Sequence, residues 1–278
     1  MNDLVVDCHQ HFWDLGRFQY YWMTPQVEVL RRNFLPDDLI PILNREGIDR
    51  TIVVQAHRSH EEAQWLLELS ARHGFIAGVV TWADLTCPNL GKALDELQSH
   101  PKFLGIRHPI EDESDDAWMI REEVLRGFGE LERRGIPYEL LVWPRHLKYV
   151  PVLRERCPYL KLVVDHVANP PIARGVMDTW ADDLAVVAGL PNVYCKLSGM
   201  ITQADWTTES LRPYVAHAVQ VFGYDRLMFG SDWPVCTLGA SYEQVVGALR
   251  DVLASASPLE DSRVWGQTAV EFYGLRCL

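Results

Sequence analysis

Short runs of apolar, β-branched residues recur along the chain, and the stretches between them carry helical spacing. Eight such runs stand near Leu4–His11, Asp49–Ala56, Phe75–Trp82, Phe103–Pro109, Pro137–Trp143, Lys161–Val167, Asn192–Ser198 and Arg226–Asp232. Several, such as Thr51–Ala56, are nearly continuous in apolar residues, as strands of a parallel sheet are when helices cover both faces. Between them, Pro36-Asp37-Asp38 opens a helix whose Leu39, Ile40 and Leu43 share a face and whose stop is Gly47. Ser59 and Glu62 read as a capping box ahead of Trp65, Leu66 and Leu69. Glu130–Arg134 runs into a stop at Gly135, and Asp261–Tyr273 predicts a last helix. Eight alternating βα units predict a closed TIM-like (β/α)8 barrel, taken as one domain over residues 1–278. A doubly wound open sheet is the competing arrangement, but no G-x-G-x-x-G follows the first strand, which disfavours its dinucleotide-binding form. The connection Phe12–Leu35 is long enough to be functional or to contain short elements of its own.

Composition narrows the function classes. The chain of 278 residues is 48% hydrophobic and 23% charged, an ordinary globular balance, with a formal net charge of −12. That charge argues against nucleic acid and anionic membranes as partners and mildly against polyanionic substrates. The six cysteines contain no C-x-x-C pair, so reduced thiols are expected rather than a disulfide framework or a cysteine zinc site. No signal peptide and no apolar stretch of about 20 residues is visible, so a cytoplasmic protein is expected. A homo-oligomer is left open.

The strongest chemical signal is Val6-Asp7-Cys8-His9-Gln10-His11. Strand alternation would put Asp7, His9 and His11 on one face and Cys8 and Gln10 on the other. Two imidazoles at that spacing can reach one metal ion, and the end of a barrel strand is where catalysis occurs; two satisfied core histidines would look the same in sequence. The second signal is Gly230-Ser231-Asp232-Trp233-Pro234, which puts a carboxylate at the end of the last strand. Alone, Asp232 reads as a turn residue; with His9 and His11 it reads as a metal ligand or proton acceptor.

Four pieces together, V-D-C-H-Q-H-F-W from Val6, V-V-D-H-V-A-N-P from Val163, Y-C-K-L-S-G from Tyr194 and F-G-S-D-W-P from Phe229, resemble the amidohydrolase superfamily. The branch they resemble contains sugar lactonases, such as those acting on fucono- and rhamnono-lactones, and pyrone-dicarboxylate lactonase. The resemblance covers nearly the whole chain. It implies a TIM-like barrel, hydrolysis at a carbonyl carbon, and a divalent metal, expected to be zinc, that some lactonases of this branch do without. Residue by residue, it makes His9, His11, His166 and Asp232 the metal set and Asp232 the activator of water. The chain departs at strand four, which ends Arg107-His108-Pro109 with no bridging lysine or glutamate, and at strand five, which ends Leu141-Val142-Trp143 with no histidine. At most one metal is therefore expected.

Other residues at the strand ends are candidates for substrate contacts. They are Gln55 and His57 on strand two, Arg107 and His108 on strand four, and Lys196 and Ser198 on strand seven. Arg107 and Lys196 could hold substrate oxygens, or instead pair internally with Asp7, Glu139 or Asp165. Trp13, Tyr20, Tyr21 and Trp22 could stack on a sugar ring or pack the barrel rim. The expected reaction opens a sugar-acid lactone, with Asp232 as base and His166 or Lys196 aiding departure of the ring oxygen. Decarboxylation, amide hydrolysis and pyrone-dicarboxylate hydrolysis are the alternatives on the same scaffold. A count of cations at the mouth discriminates between neutral and anionic substrates. A non-enzymatic binding barrel is disfavoured because His9, His11 and Asp232 are all present.

Overall fold

The computed structural model describes residues 4–202 and 206–275. Eight parallel strands follow one another in sheet order: β1 Val6–Gln10, β2 Arg50–Val54, β3 Ile76–Thr81, β4 Phe103–Pro109, β5 Tyr138–Leu141, β6 Leu162–Val164, β7 Val193–Leu197 and β8 Leu227–Phe229. Each lies inside one of the eight apolar runs. The sheet closes where β1 meets the segment after β8: Gln10 pairs with Trp233, the His11 amide donates to the Trp233 carbonyl at 2.7 Å, and the Asp232 amide donates to the His9 carbonyl at 2.8 Å. The end of β8 is thereby stitched to the histidine-bearing end of β1.

Helices α1 Pro36–Glu46, α2 His60–Arg72, α3 Leu90–Gln98, α4 Glu122–Arg134, α5 Val150–Arg156, α6 Asp178–Ala188, α7 Thr208–Phe222 and α8 Tyr242–Val252 form the outer layer. Their apolar stripes and the outward strand residues make the larger core. The barrel interior is a separate, smaller cluster that includes Val6, Cys8, Ile52, Val54, Val80, Val163 and Met228. Its floor is Ala269, Phe272 and Tyr273, from a C-terminal stretch running α9 Pro258–Ser262, a π-helical turn Arg263–Gln267 and α10 Thr268–Tyr273. The expected last helix thus exists, interrupted by a π turn.

Two local readings change. Ser59 caps α2 by accepting from the Glu62 amide, but the Glu62 carboxylate does not reach back to Ser59; it accepts from the amides of Ala56 and His57 at 3.0 and 2.8 Å. It therefore pins the end of β2. On β1 the pairing register slips between Asp7 and Gln10, a bulge that places two successive residues on one side. Cys8 belongs to the interior cluster and His9 meets interior groups, whereas Asp7 bonds to Tyr242 of α8. Asp7 thus faces outward and does not share the face of His9 and His11. Five described cysteines are free thiols, Cys87 alone among them exposed; Cys277 lies outside the described residues. No helix among the described residues is long and apolar enough to cross a membrane.

Candidate active site

The mouth of the barrel is organised around His9. Gly230 makes room for it: a Cβ there would lie 2.6 Å from the His9 Cβ and 3.1 Å from that of Ser198. The His9 Nδ1 lies 3.0 Å from Lys196 Nζ and 3.4 Å from Asp165 Oδ1, and its Nε2 lies 3.3 Å from Arg107 Nη1 and 3.8 Å from Asp232 Oδ1. The Arg107 guanidinium and the Lys196 ammonium can only donate, and a neutral imidazole has one bare nitrogen, so the ring accepts from one of them and turns its single N–H to the other side, where Asp165 or Asp232 stands. Burial, reinforced by Lys196, holds the His9 pKa well below its usual value, so the ring is neutral.

His11 is oriented differently. Its Nδ1–H donates to the Val54 carbonyl at 2.7 Å, which turns Nε2 to the mouth, 3.3 Å from Asp232 Oδ1. His166 completes the cluster, its Nδ1 2.8 Å from Ser198 Oγ and its ring centroid 4.5 Å from that of His9. Burial lowers its pKa as well. His166, Val167, Ala168 and Asn169 all have left-handed backbone, with φ between 48° and 61°. Such residues cost of order 1 kcal/mol or more each and persist only where the surroundings over-determine them. Here Trp180 Nε1–H donates to the Val167 carbonyl at 2.7 Å and Asn169 Nδ2 donates to the Val142 carbonyl at 3.1 Å. Gly199 leaves space for the imidazole, since a Cβ there would meet its Cγ and Nδ1 at 2.4 Å. Asp232 is also left-handed, at φ 56°.

Below the mouth lies a sealed ionic network. Lys196 Nζ stands 2.6 Å from Glu139 Oε2 and 3.1 Å from Asp165 Oδ1, all three fully buried, and the Tyr273 hydroxyl donates to Glu139 from the floor. Burial alone would neutralise Lys196, but Asp165 and Glu139 outweigh it and raise its pKa. One ammonium faces two carboxylates. Asp165 keeps its charge, because Lys196 and His9 overcome the effect of burial, and Glu139 is pushed up to about 7 by burial.

Above the cluster a cleft of about 230 Å³ is lined by His11, Asp232, His166, Arg107, Gln55, Trp22 and, among others, Glu111, Asp112, Trp143, Asn169 and Thr202. The structure therefore brings His9, His11, His166 and Asp232 together and places Trp22, Gln55 and Arg107 at the cleft. It does not bring in the other sequence candidates. Trp13 is core, with Nε1–H donating to the carbonyls of Leu30 and Arg32. Tyr21 stands 77% exposed at the rim. His108 stacks on Trp118 at 4.2 Å and is tied to Trp82 and Glu113. Lys196 is walled off beneath His9, paired with two of the three internal partners that the sequence suggested. Glu111, Trp143 and Asn169 are not among the sequence candidates; Glu111 is signalled only by its place after a strand end, Trp143 closes the fifth apolar run, and Asn169 lies within the V-V-D-H-V-A-N-P piece.

The donor set fits a divalent metal. One atom each from His9, His11 and Asp232 lie within 4.8 Å of one another, and His9, Asp165 and His166 form a second such group. Two imidazoles and a carboxylate, one imidazole locked by a carbonyl through its other nitrogen, are what a zinc-type site requires.

The fold and this mouth define a barrel enzyme of the metal-ready histidine type. The chain belongs to the amidohydrolase family, whose model matches residues 6–275. It is 38% identical over 239 residues to an L-fucono-1,5-lactonase of Burkholderia ambifaria, covering 85% of this chain and 82% of that one. It is 37% identical over 289 residues to an L-fucono-1,5-lactonase of Burkholderia multivorans, covering 99% and 97%. A crystal structure of an amidohydrolase from Burkholderia multivorans with bound zinc superposes with a TM-score of 0.92 at 37% identity, over 98% of this chain and 100% of that one.

Proposed function

We propose that this protein is a lactonase, one barrel domain acting in the cytoplasm on a neutral sugar-acid lactone in carbohydrate catabolism, with a six-membered lactone of the L-fucono-1,5 type as its substrate. The observation that carries this reading is the charge of the cleft. Among the described residues Arg107 is the one basic side chain lining it apart from the histidines, against the carboxyls of Glu111, Asp112 and Asp232. A dicarboxylate would need two unspent cations, and Lys196 is committed below. Trp22 and Trp143 supply aromatic surface for a sugar ring. The volume, under the roughly 300–1,000 Å³ of drug-sized pockets, suits one small ring.

In the mechanism, water attacks the lactone carbonyl carbon as its proton passes to the Asp232 carboxylate. The carbonyl electron pair moves onto oxygen, where N–H groups of Arg107 left over from its bonds to Gln55, Asp165 and His9 stabilise it. The tetrahedral adduct collapses by breaking the bond from the carbonyl carbon to the ring oxygen. The proton on Asp232 goes to that oxygen, held by His166, and the open hydroxy acid leaves. Lys196 does not meet the substrate; it contacts the His9 ring and Asp165 from below and fixes both. A divalent metal held by His9, His11 and Asp232, with His166 in reach, would polarise the carbonyl and acidify the water, and zinc suits the donors. A pH-indicator assay over a panel of aldonolactones, with and without chelator, tests the reading. Rapid opening of a six-membered sugar lactone is expected; no aldonolactone opened above background refutes it.

A further inference from the structure

Two carboxyls of the cleft have no part in this mechanism, Asp112, which Arg58 holds, and Glu111. Glu111 sits on the short turn Ile110–Asp112 directly after β4. The turn is held on both sides: Ile110 is fully buried, and Arg58 bonds Asp112 at 2.9 Å and the Pro109 carbonyl at 3.3 Å. Glu111 Oε2 accepts from Asn169 Nδ2 at 3.2 Å, and the same amide nitrogen donates to the Val142 carbonyl, so both Asn169 N–H groups are spent. Among the described residues nothing donates to Oε1. Neither nearby cation bonds Glu111: Arg107 donates to Gln55, Asp165 and His9, and Arg58 to Asp112, Glu113 and the Pro109 carbonyl. A half-buried carboxyl fixed at the wall of the cleft, with one oxygen that no protein group among the described residues meets, is an acceptor that a ligand in the cleft can use.

We propose that Glu111 is the specificity-determining residue that accepts hydrogen bonds from the ring hydroxyls of the substrate. This rests on the sugar-lactone reading and names the group that enforces it. A neutral polyol offers hydroxyl donors to the open oxygen, whereas a lactone bearing carboxylates offers only acceptors and meets like charge from Glu111 and Asp112. Burial, with Asp112 adding to it, pushes the Glu111 pKa up to about 7, in keeping with a carboxyl short of donors.

The test is steady-state kinetics of the full-length protein and of Glu111→Ala and Glu111→Gln on a six-membered sugar-acid lactone. Melting curves confirm that each variant folds. Loss of a hydrogen bond to a charged group raises KM about ten- to hundredfold in Glu111→Ala. Glu111→Gln, which keeps one acceptor oxygen, raises it less, and in both variants kcat moves much less than KM. A KM within twofold of the parent in Glu111→Ala overturns the proposal, as does a loss confined to kcat. Failure of the parent to open any sugar lactone is a different result: it refutes the sugar-lactone reading and the proposal with it.

Discussion

Two buried aspartates on either side of the β1–β8 seam show how this barrel separates structure from chemistry. On the outer side, Asp7 receives the Ser231 amide at 2.9 Å, the Ser231 hydroxyl at 2.6 Å, the Tyr242 hydroxyl at 2.9 Å and the His9 amide at 3.1 Å. Burial still raises its pKa to about 6 against those bonds. On the inner side, the neighbours of Asp232 within salt-bridge reach are His11 and His9, at 3.3 and 3.8 Å, and no amide or hydroxyl among the described residues donates to its carboxylate. The first carboxylate has used its acceptors to join two strands and a helix. The second has kept them for a proton or a metal. Satisfied polar groups hold the fold, and unsatisfied ones face the substrate.

The largest expected effect removes the inner acceptor. Asp232→Asn keeps size and loses basicity, so kcat/KM falls about 10³-fold, within the usual range for general bases, while the melting temperature stays near the parent's. Activity within tenfold of the parent would place the base elsewhere. Asp7→Ala does the reverse. It strands four donors and costs about 3–5 kcal/mol of stability, read by denaturant unfolding, with activity per folded molecule falling far less than in Asp232→Asn. A variant as stable as the parent would break the contrast.

Glu62 is an intermediate case: Oε2 takes two amides, but Oε1 is buried without a partner. Burial pushes its pKa up to about 8 from an ordinary 4.5. Between those values the unfolded chain releases a proton that the folded one keeps, so this group's contribution to stability is lost as pH rises through that window. Glu62→Gln does not titrate. Its stability relative to the parent should therefore climb between pH 5 and pH 8 by on the order of 2 kcal/mol, and a pH-independent difference would contradict the assignment. The smallest effect concerns Arg107, whose Nη1 stands 3.3 Å from His9 Nε2, the atom that faces Asp232 and that a metal there would use. Arg107→Met should tighten zinc binding about tenfold, measured by competition with a chelating dye; unchanged or weaker binding would show that the two do not compete.

Much of this was legible in the chain. Buried parallel strands need β-branched runs, so the barrel could be read directly, and His-x-His with a strand-eight aspartate located the mouth. What sequence spacing could not show was the bulge at Cys8-His9. It turns Asp7 outward, because period-two alternation presumes an unbroken register. Nor could spacing show the four left-handed residues from His166, none of them glycine, which are set by packing against Trp180 and Gly199. For Lys196 the sequence leaves substrate contact and internal pairing open, and the fold decides for pairing by bringing Glu139 and Asp165 to it. The aromatic cluster divided three ways, with Trp13 in the core, Tyr21 on the rim and Trp22 at the cleft, because loop conformation decides it. Glu111 acquires meaning only beside Asn169, which lies 58 residues further along the chain.

The most direct test of the central claim is a comparison of kcat/KM for a neutral six-membered sugar-acid lactone and an aromatic dicarboxylate lactone under identical salt and pH. With one arginine and three carboxyls lining the cleft among the described residues, the sugar lactone is expected to win by at least about tenfold, roughly 1.4 kcal/mol of transition-state preference. A dicarboxylate preference of that size would contradict the account.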